Sequence, residues 1–178
     1  MGPCTRRDAL RTGSILLFSS LAGCSALTDD GAGSEDRTYE RLAVTAVYVA
    51  DGVDVSVPPE ISTVDSANNA DLLLLPGETT ADADQIVEWF ADERVVATLG
   101  DSSEATWLSW ARSDAFRDAF KNEGFSESKP DPSLVVGAKI GLYVSTYRRS
   151  WSDGRRNRDI LRALDETLVA IENETPPE

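Results

Sequence analysis

The run Ala70-Asp71-Leu72-Leu73-Leu74-Leu75-Pro76-Gly77 decides the architecture. Four consecutive leucines leave no polar face, so a strand built from them must be covered on both sides, as in parallel sheets. Pro76 offers no ladder donor and Gly77 accommodates a turn, so the strand ends there. A second run of the same kind, Arg94-Val95-Val96-Ala97-Thr98-Leu99-Gly100, follows. Between the two, Asp82 and Gln85 have capping-box spacing, and Ile86, Val87 and Phe90 share one helical face. Strand, helix and strand in that order are the unit of an α/β fold.

Working upstream, Leu42 to Ala50 reads as a strand. Asp51-Gly52 then precedes the alternating Val53, Val55 and Val57, which is a hairpin signal. Pro58-Pro59 stops that segment, and Ile61 to Val64 is a short edge piece. Downstream, Asp101 and Glu104 repeat the capping-box spacing. Trp107, Leu108, Ala111, Ala115 and Ala119 line one side of the helix that follows, with a break expected at Ser113-Asp114. Gly124 suits its C-terminal cap. Leu134 to Thr146 reads as one strand region, because Leu134, Val136, Ala138, Ile140, Leu142 and Val144 share a parity. A final helix spans Arg158 to Glu172, with a stripe of Ile160, Leu161, Leu164, Leu168 and Ile171. The expectation is one α/β domain over residues 41–178. It is a three-layer α/β/α sandwich with a mainly parallel sheet and an antiparallel edge hairpin at Asp51-Gly52.

The N-terminus reads differently. Arg6, Arg7 and Arg11 precede a short apolar core from Ile15 to Ala22, broken by Ser19 and Ser20. That core falls short of the ~20 apolar residues that span a bilayer. A positive start, an apolar core and small residues before a cut make an export signal. Thr5-Arg6-Arg7 resembles the core of twin-arginine signals, and Leu21-Ala22-Gly23-Cys24 resembles the lipobox of exported lipoproteins. The resemblance implies that residues 1–23 are removed and that Cys24 takes lipid on its sulfur. It places the protein on the outer face of the cytoplasmic membrane, with membrane lipid as its partner through Cys24. Residues 25–40, led by Asp29-Asp30-Gly31-Ala32-Gly33-Ser34-Glu35-Asp36, then read as a flexible acidic tether. A random coil of this length spans roughly 20–25 Å. With Cys4 in the removed segment, Cys24 is the last thiol, and no internal disulfide can form.

Charge bounds the partners. The chain carries −14, and loss of residues 1–23 takes it to about −16. Lysine is scarce: only Lys121, Lys129 and Lys139 occur. This composition resembles proteins of extremely halophilic archaea, where a Debye length of only ~3 Å at 1 M salt screens self-repulsion. Nucleic acid is excluded as a partner, since its binders present a basic face. Against that background, Arg148, Arg149, Arg155, Arg156, Arg158 and Arg162 stand out as a cluster. It suits anionic lipid head groups or an acidic protein partner at the cell surface. The plainer reading is a solvated face pairing with local carboxylates such as Asp153, Asp159 and Asp165.

Little catalytic chemistry is available. The chain has no histidine, which removes Ser-His-Asp triads, Cys-His pairs and most zinc sites. No catalytic residue, metal site or cofactor is assigned. Gly100-Asp101-Ser102-Ser103 resembles the Gly-Asp-Ser block of the GDSL esterases, in which a histidine activates the serine. Here a helix cap is the simpler account of the block. Asp71 to Gly77, with the strand ending at Gly100, also resembles class I glutamine amidotransferase-like domains, but Gly100-Asp101 stands where that family has its cysteine. The resemblance implies architecture alone. Gly77, Glu78, Asp101 and Ser102 remain a candidate ligand crevice at the carboxyl ends of adjacent strands. Trp151 is the one tryptophan expected at the surface, and Asn173-Glu174-Thr175 is a glycosylation sequon. The expected role is non-enzymatic binding or scaffolding. The alternative is a small-molecule-binding or degenerate hydrolase-like domain using the crevice.

Overall fold

The computed structural model describes residues 39–121, 131–151 and 156–175. Cys24, Arg6, Arg7, Arg155 and Gly124 lie outside the described residues. Five strands form one sheet in chain order: β1 (Val47–Val49), β2 (Leu72–Pro76), β3 (Val95–Leu99), β4 (Leu134–Ile140) and β5 (Tyr143–Arg149). Four α-helices accompany them among the described residues: α1 (Ala83–Ala91), α2 (Ser103–Ala111), α3 (Asp114–Ala119) and α4 (Asn157–Glu174). The chain is α/β, as its strand-helix alternation implies.

The four leucines behave as their sequence requires. Leu72 to Leu75 are all buried, and alternate residues enter different cores. Leu72 and Leu74 join Ala97, Leu99, Leu134 and Val136 against Ile160, Leu161 and Leu164 of α4. Leu73 and Leu75 join Val96 and Val135 against Ile86 and Phe90 of α1, Trp107 of α2 and Phe116 of α3. Burial of one such leucine contributes about 1.5–3 kcal/mol, so β2 ties the two cores together. Asp82 caps α1 as expected, its Oδ1 accepting the Gln85 N–H at 2.9 Å. The helix after β3 breaks at Ser113, whose hydroxyl oxygen accepts the Phe116 N–H and starts α3.

The sheet is mixed rather than mainly parallel. β1, β2 and β3 pair in parallel, whereas β4 pairs antiparallel with both β3 and β5. The edge hairpin expected at Asp51-Gly52 is also corrected. The turn forms, with Gly52 at φ 86°. Residues 53–57 do not pair back, because both edges of β1 are taken. β2 holds one edge, and Ser62 and Val64 bond to Val47 on the other. Val53, Val55 and Val57 instead lie half-buried against the α4-side core. There the Asn157 side chain clasps Ser56, accepting its N–H and donating to its carbonyl, both at 2.6 Å.

The hairpin of this sheet is β4–β5. Gly141-Leu142 is a two-residue turn with Gly141 at φ 63°, the type II′ arrangement that needs glycine first. The single strand read over Leu134 to Thr146 is therefore two strands. Ile140 pairs with Tyr143, so facing inverts across the turn. Val144 joins the core of Val135, not that of Leu134, and Leu142 is exposed at the tip.

Candidate functional site

The two loops of the candidate crevice do meet. Both α1 and α2 pack on the same sheet face, so the chain leaving β2 and the chain leaving β3 turn to the same side. Strand order also runs in sequence without reversal, so these strands lack the topological switch point at which open sheets usually hold ligands. Gly77 and Gly100 lie backbone against backbone. A Cβ at Gly77 would sit 3.2 Å from the Gly100 backbone and 3.1 Å from the Ser103 nitrogen. Gly100, at φ 140°, is a conformation few other residues adopt.

Side-chain hydroxyls then tie the loops together. Thr106 Oγ1 donates to the Gly77 carbonyl, and Ser103 Oγ to the Ser133 carbonyl. The Gly77 N–H reaches the Leu99 carbonyl, and the Gly100 N–H reaches that of Ser133, each at 2.8 Å. Trp110 Nε1 donates to the Ala81 carbonyl at 3.0 Å and pins the start of α1 to α2. Thus Gly77 and Gly100 are packed together by backbone and hydroxyl contacts.

At the rim, Ser102 Oγ donates to Glu78 Oε1 at 3.0 Å. In form this is a hydroxyl beside a base. The contact links the loop after β2 to the loop after β3. Asp101 was expected to cap α2, but the residue in the capping position is Ser102, whose side chain makes no capping bond. Glu104, expected as the far half of that capping box, is instead buried and faces Arg148 at 3.8 Å.

That contact begins the division of the arginine cluster. Arg148 and Arg149 are neighbours on β5, so they project to opposite faces. Arg148 turns to Glu104 of α2. Arg149 turns to α4, where Glu166 sits between it, at 4.0 Å, and Arg162, at 2.8 Å. Arg158 meets Asp159 at 3.6 Å, and Arg156 precedes α4 as an exposed residue. Arg148, Arg149, Arg158 and Arg162 thus face carboxylates of the domain itself.

Asp165, read beforehand as an arginine partner, does other work. Its Oδ1 accepts the N–H groups of Arg41 at 2.9 Å and Leu42 at 2.8 Å, and its Oδ2 accepts that of Glu40 at 3.2 Å. Arg41 also meets Glu172 at 2.8 Å. Tyr39 packs on the same core, and Leu42 is buried in it. Tyr39 and Glu40, assigned by sequence to the tether, are therefore held against the domain. No local pattern announced this, since 123 to 125 residues separate the partners.

The remaining candidates are quickly placed. Trp151 is half-buried against the α4-side core rather than fully exposed. Asn173 is exposed in the last turn of α4, and the Thr175 hydroxyl donates to the Ile171 carbonyl. Tyr147 of β5 has its pKa pushed up to about 12, by burial first and then by the Glu174 carboxylate. Among the described residues, no group of three or more His, Cys, Asp or Glu side chains is placed to hold a metal. Among them, too, no helix is long and apolar enough to cross a membrane. No protein-family model, curated protein or solved structure matches the chain.

Proposed function

We propose that this chain is a lipoprotein anchored through Cys24 to the outer face of the cytoplasmic membrane, with a domain that binds or scaffolds without catalysing a reaction. The domain is a three-layer α/β/α sandwich, with α4 on one face of the sheet and α1 to α3 on the other. The observation that carries the reading is the seam between Gly77 and Gly100. It brings the two loops of the candidate crevice into backbone contact. The anchoring half comes from Thr5-Arg6-Arg7 and the Leu21-Ala22-Gly23-Cys24 lipobox. Its partner is an outward-facing protein, met at short range, because a surface of this charge is screened beyond a few ångströms in strong salt.

Membrane fractionation of Cys24→Ser tests the anchor. The expected result is release of the protein into the soluble fraction, and a variant that stays with the membrane sinks the anchor. Capture of the native protein from membranes in ~1 M salt tests the partner. Recovery of one protein in fixed ratio supports scaffolding, and recovery of the chain by itself counts against it.

A further inference from the structure

We propose that Asp165 and Glu172 form a latch that fastens the start of the domain to α4, so that a pull on the preceding chain is borne first by α4 and not by the sheet. Its setting is the anchored reading above, in which residues 24–38 lead to lipid. The latch itself is a property of the described residues.

One carboxylate gathers three consecutive backbone N–H groups, those of Glu40, Arg41 and Leu42. Hydrogen bonds to a charged acceptor are the strong kind, and these three share a single side chain. All three must break before residues 40–42 can leave. Leu42 is 1% exposed and plugs the core beneath, and Arg41 is held a second time by Glu172. Asp165 and Glu172 are both on α4, whose inner face carries Ile160, Leu161 and Leu164. The load therefore enters a long packed helix. The first bonds to the sheet lie further along the chain, at Ala46, whose carbonyl accepts the N–H groups of Asp71 and Leu72 at 2.8 and 3.1 Å. The Ala46 N–H is also held by Asp71 Oδ2 at 3.0 Å. A pull that opens the latch thus peels residues 39–45 before it reaches the sheet.

Salt separates the two parts of the latch. The Arg41–Glu172 pair lies at the surface, both side chains over 40% exposed, and loses strength as ions screen it. The Asp165 bonds to Arg41 and Leu42 are partly buried, where ions screen much less, so they persist.

The test is force spectroscopy on the full chain carrying Cys4→Ser, gripped at the Cys24 thiol and at a C-terminal tag. This geometry puts Asp165 directly in the line of force. At constant load the first step should lengthen the chain by roughly 23–25 Å, the span of residues 39–45. In Asp165→Asn, which keeps one acceptor oxygen, that step should come at least about tenfold faster, with the sheet opening at its former rate. Equal first-step rates in the two chains overturn the latch, as does opening of the whole domain in one step in both. Amide exchange on the unmodified chain provides the measurement that needs no variant. Protection at Glu40, Arg41 and Leu42 is expected, and free exchange at all three overturns the proposal. Neither readout depends on lipid at Cys24, so failure of the latch and failure of the anchor are distinguishable.

Discussion

Trp107 sets the far end of its indole against Gly137, so closely that a Cβ at Gly137 would stand 2.2 Å from the ring carbon Cη2. The glycine sits mid-strand in β4, where a side chain would ordinarily be favoured. Its absence lets the indole reach the sheet and bring Phe90 into ring contact at 6.0 Å and Trp110 at 5.3 Å. Phe116 and Phe120 close the group around Phe90.

Gly137→Ala should therefore destabilise the domain by about 1–3 kcal/mol, the usual cost of overpacking. Urea denaturation checks it. In a Trp107→Leu background the same change should cost much less, because the ring that collides is gone. Equal costs in both backgrounds would show that the contact is not the cause.

The Asn157 clasp on Ser56 gives a second prediction. Asn157→Asp keeps the acceptor for the Ser56 N–H but sets an oxygen against the Ser56 carbonyl. The expected loss is about 1 kcal/mol, the net worth of one hydrogen bond. Asn157→Ala removes both bonds and should speed amide exchange at Ser56 while leaving Leu72 to Leu75 protected. An unchanged Ser56 amide in that variant rules the clasp out.

Tyr147 predicts an alkaline limit. Its pKa stands near 10 in the unfolded chain and is pushed up to about 12 in the fold, by burial and then by Glu174. Between those values the unfolded chain has lost the phenolic proton and the folded chain has kept it. Stability is thus whole below pH 10 and falls as pH rises from about 10 to about 12. Denaturation midpoints across that window should fall less steeply in Tyr147→Phe. Identical slopes would remove Tyr147 as their source.

The parts of this fold that were legible in sequence are those set by local pattern. Leu72 to Leu75 announce a strand covered twice, Asp82 and Ser113 announce helix starts, and Ile160, Leu161 and Leu164 announce the covering face of α4. Sequence reading failed where pairing overrides pattern. Gly141-Leu142 hides a reversal because a two-residue turn leaves the alternation of apolar residues undisturbed while inverting their facing. Phe116 and Phe120 were overlooked because the break at Ser113 resets the helical phase, so the stripe of alanines carried on from α2 is not the buried one. At the candidate site, Glu78 and Ser102 were rightly placed together. The capping assignment of Glu104 failed because Arg148, from a strand 44 residues away, draws its carboxylate under the helix. Asp165 was unreadable for the same reason. Three amides from the far end of the domain claim it, and nothing beside it in the chain shows that.

The place of α4 after all five strands sets an order of assembly. Each strand docks beside the one made just before it, so the sheet can grow as the chain is synthesised. The face bearing Leu72, Leu74, Ala97 and Leu99 nevertheless stays bare until the last helix arrives to cover it. Until then Leu42 has no helix to close over it, and the amides of residues 40–42 have no carboxylate. An unfinished chain is therefore sticky on one side and loose at its beginning, the features by which chaperones and proteases distinguish incomplete products. Closure of Asp165 on Arg41 thus waits until both sides of the contact have been produced.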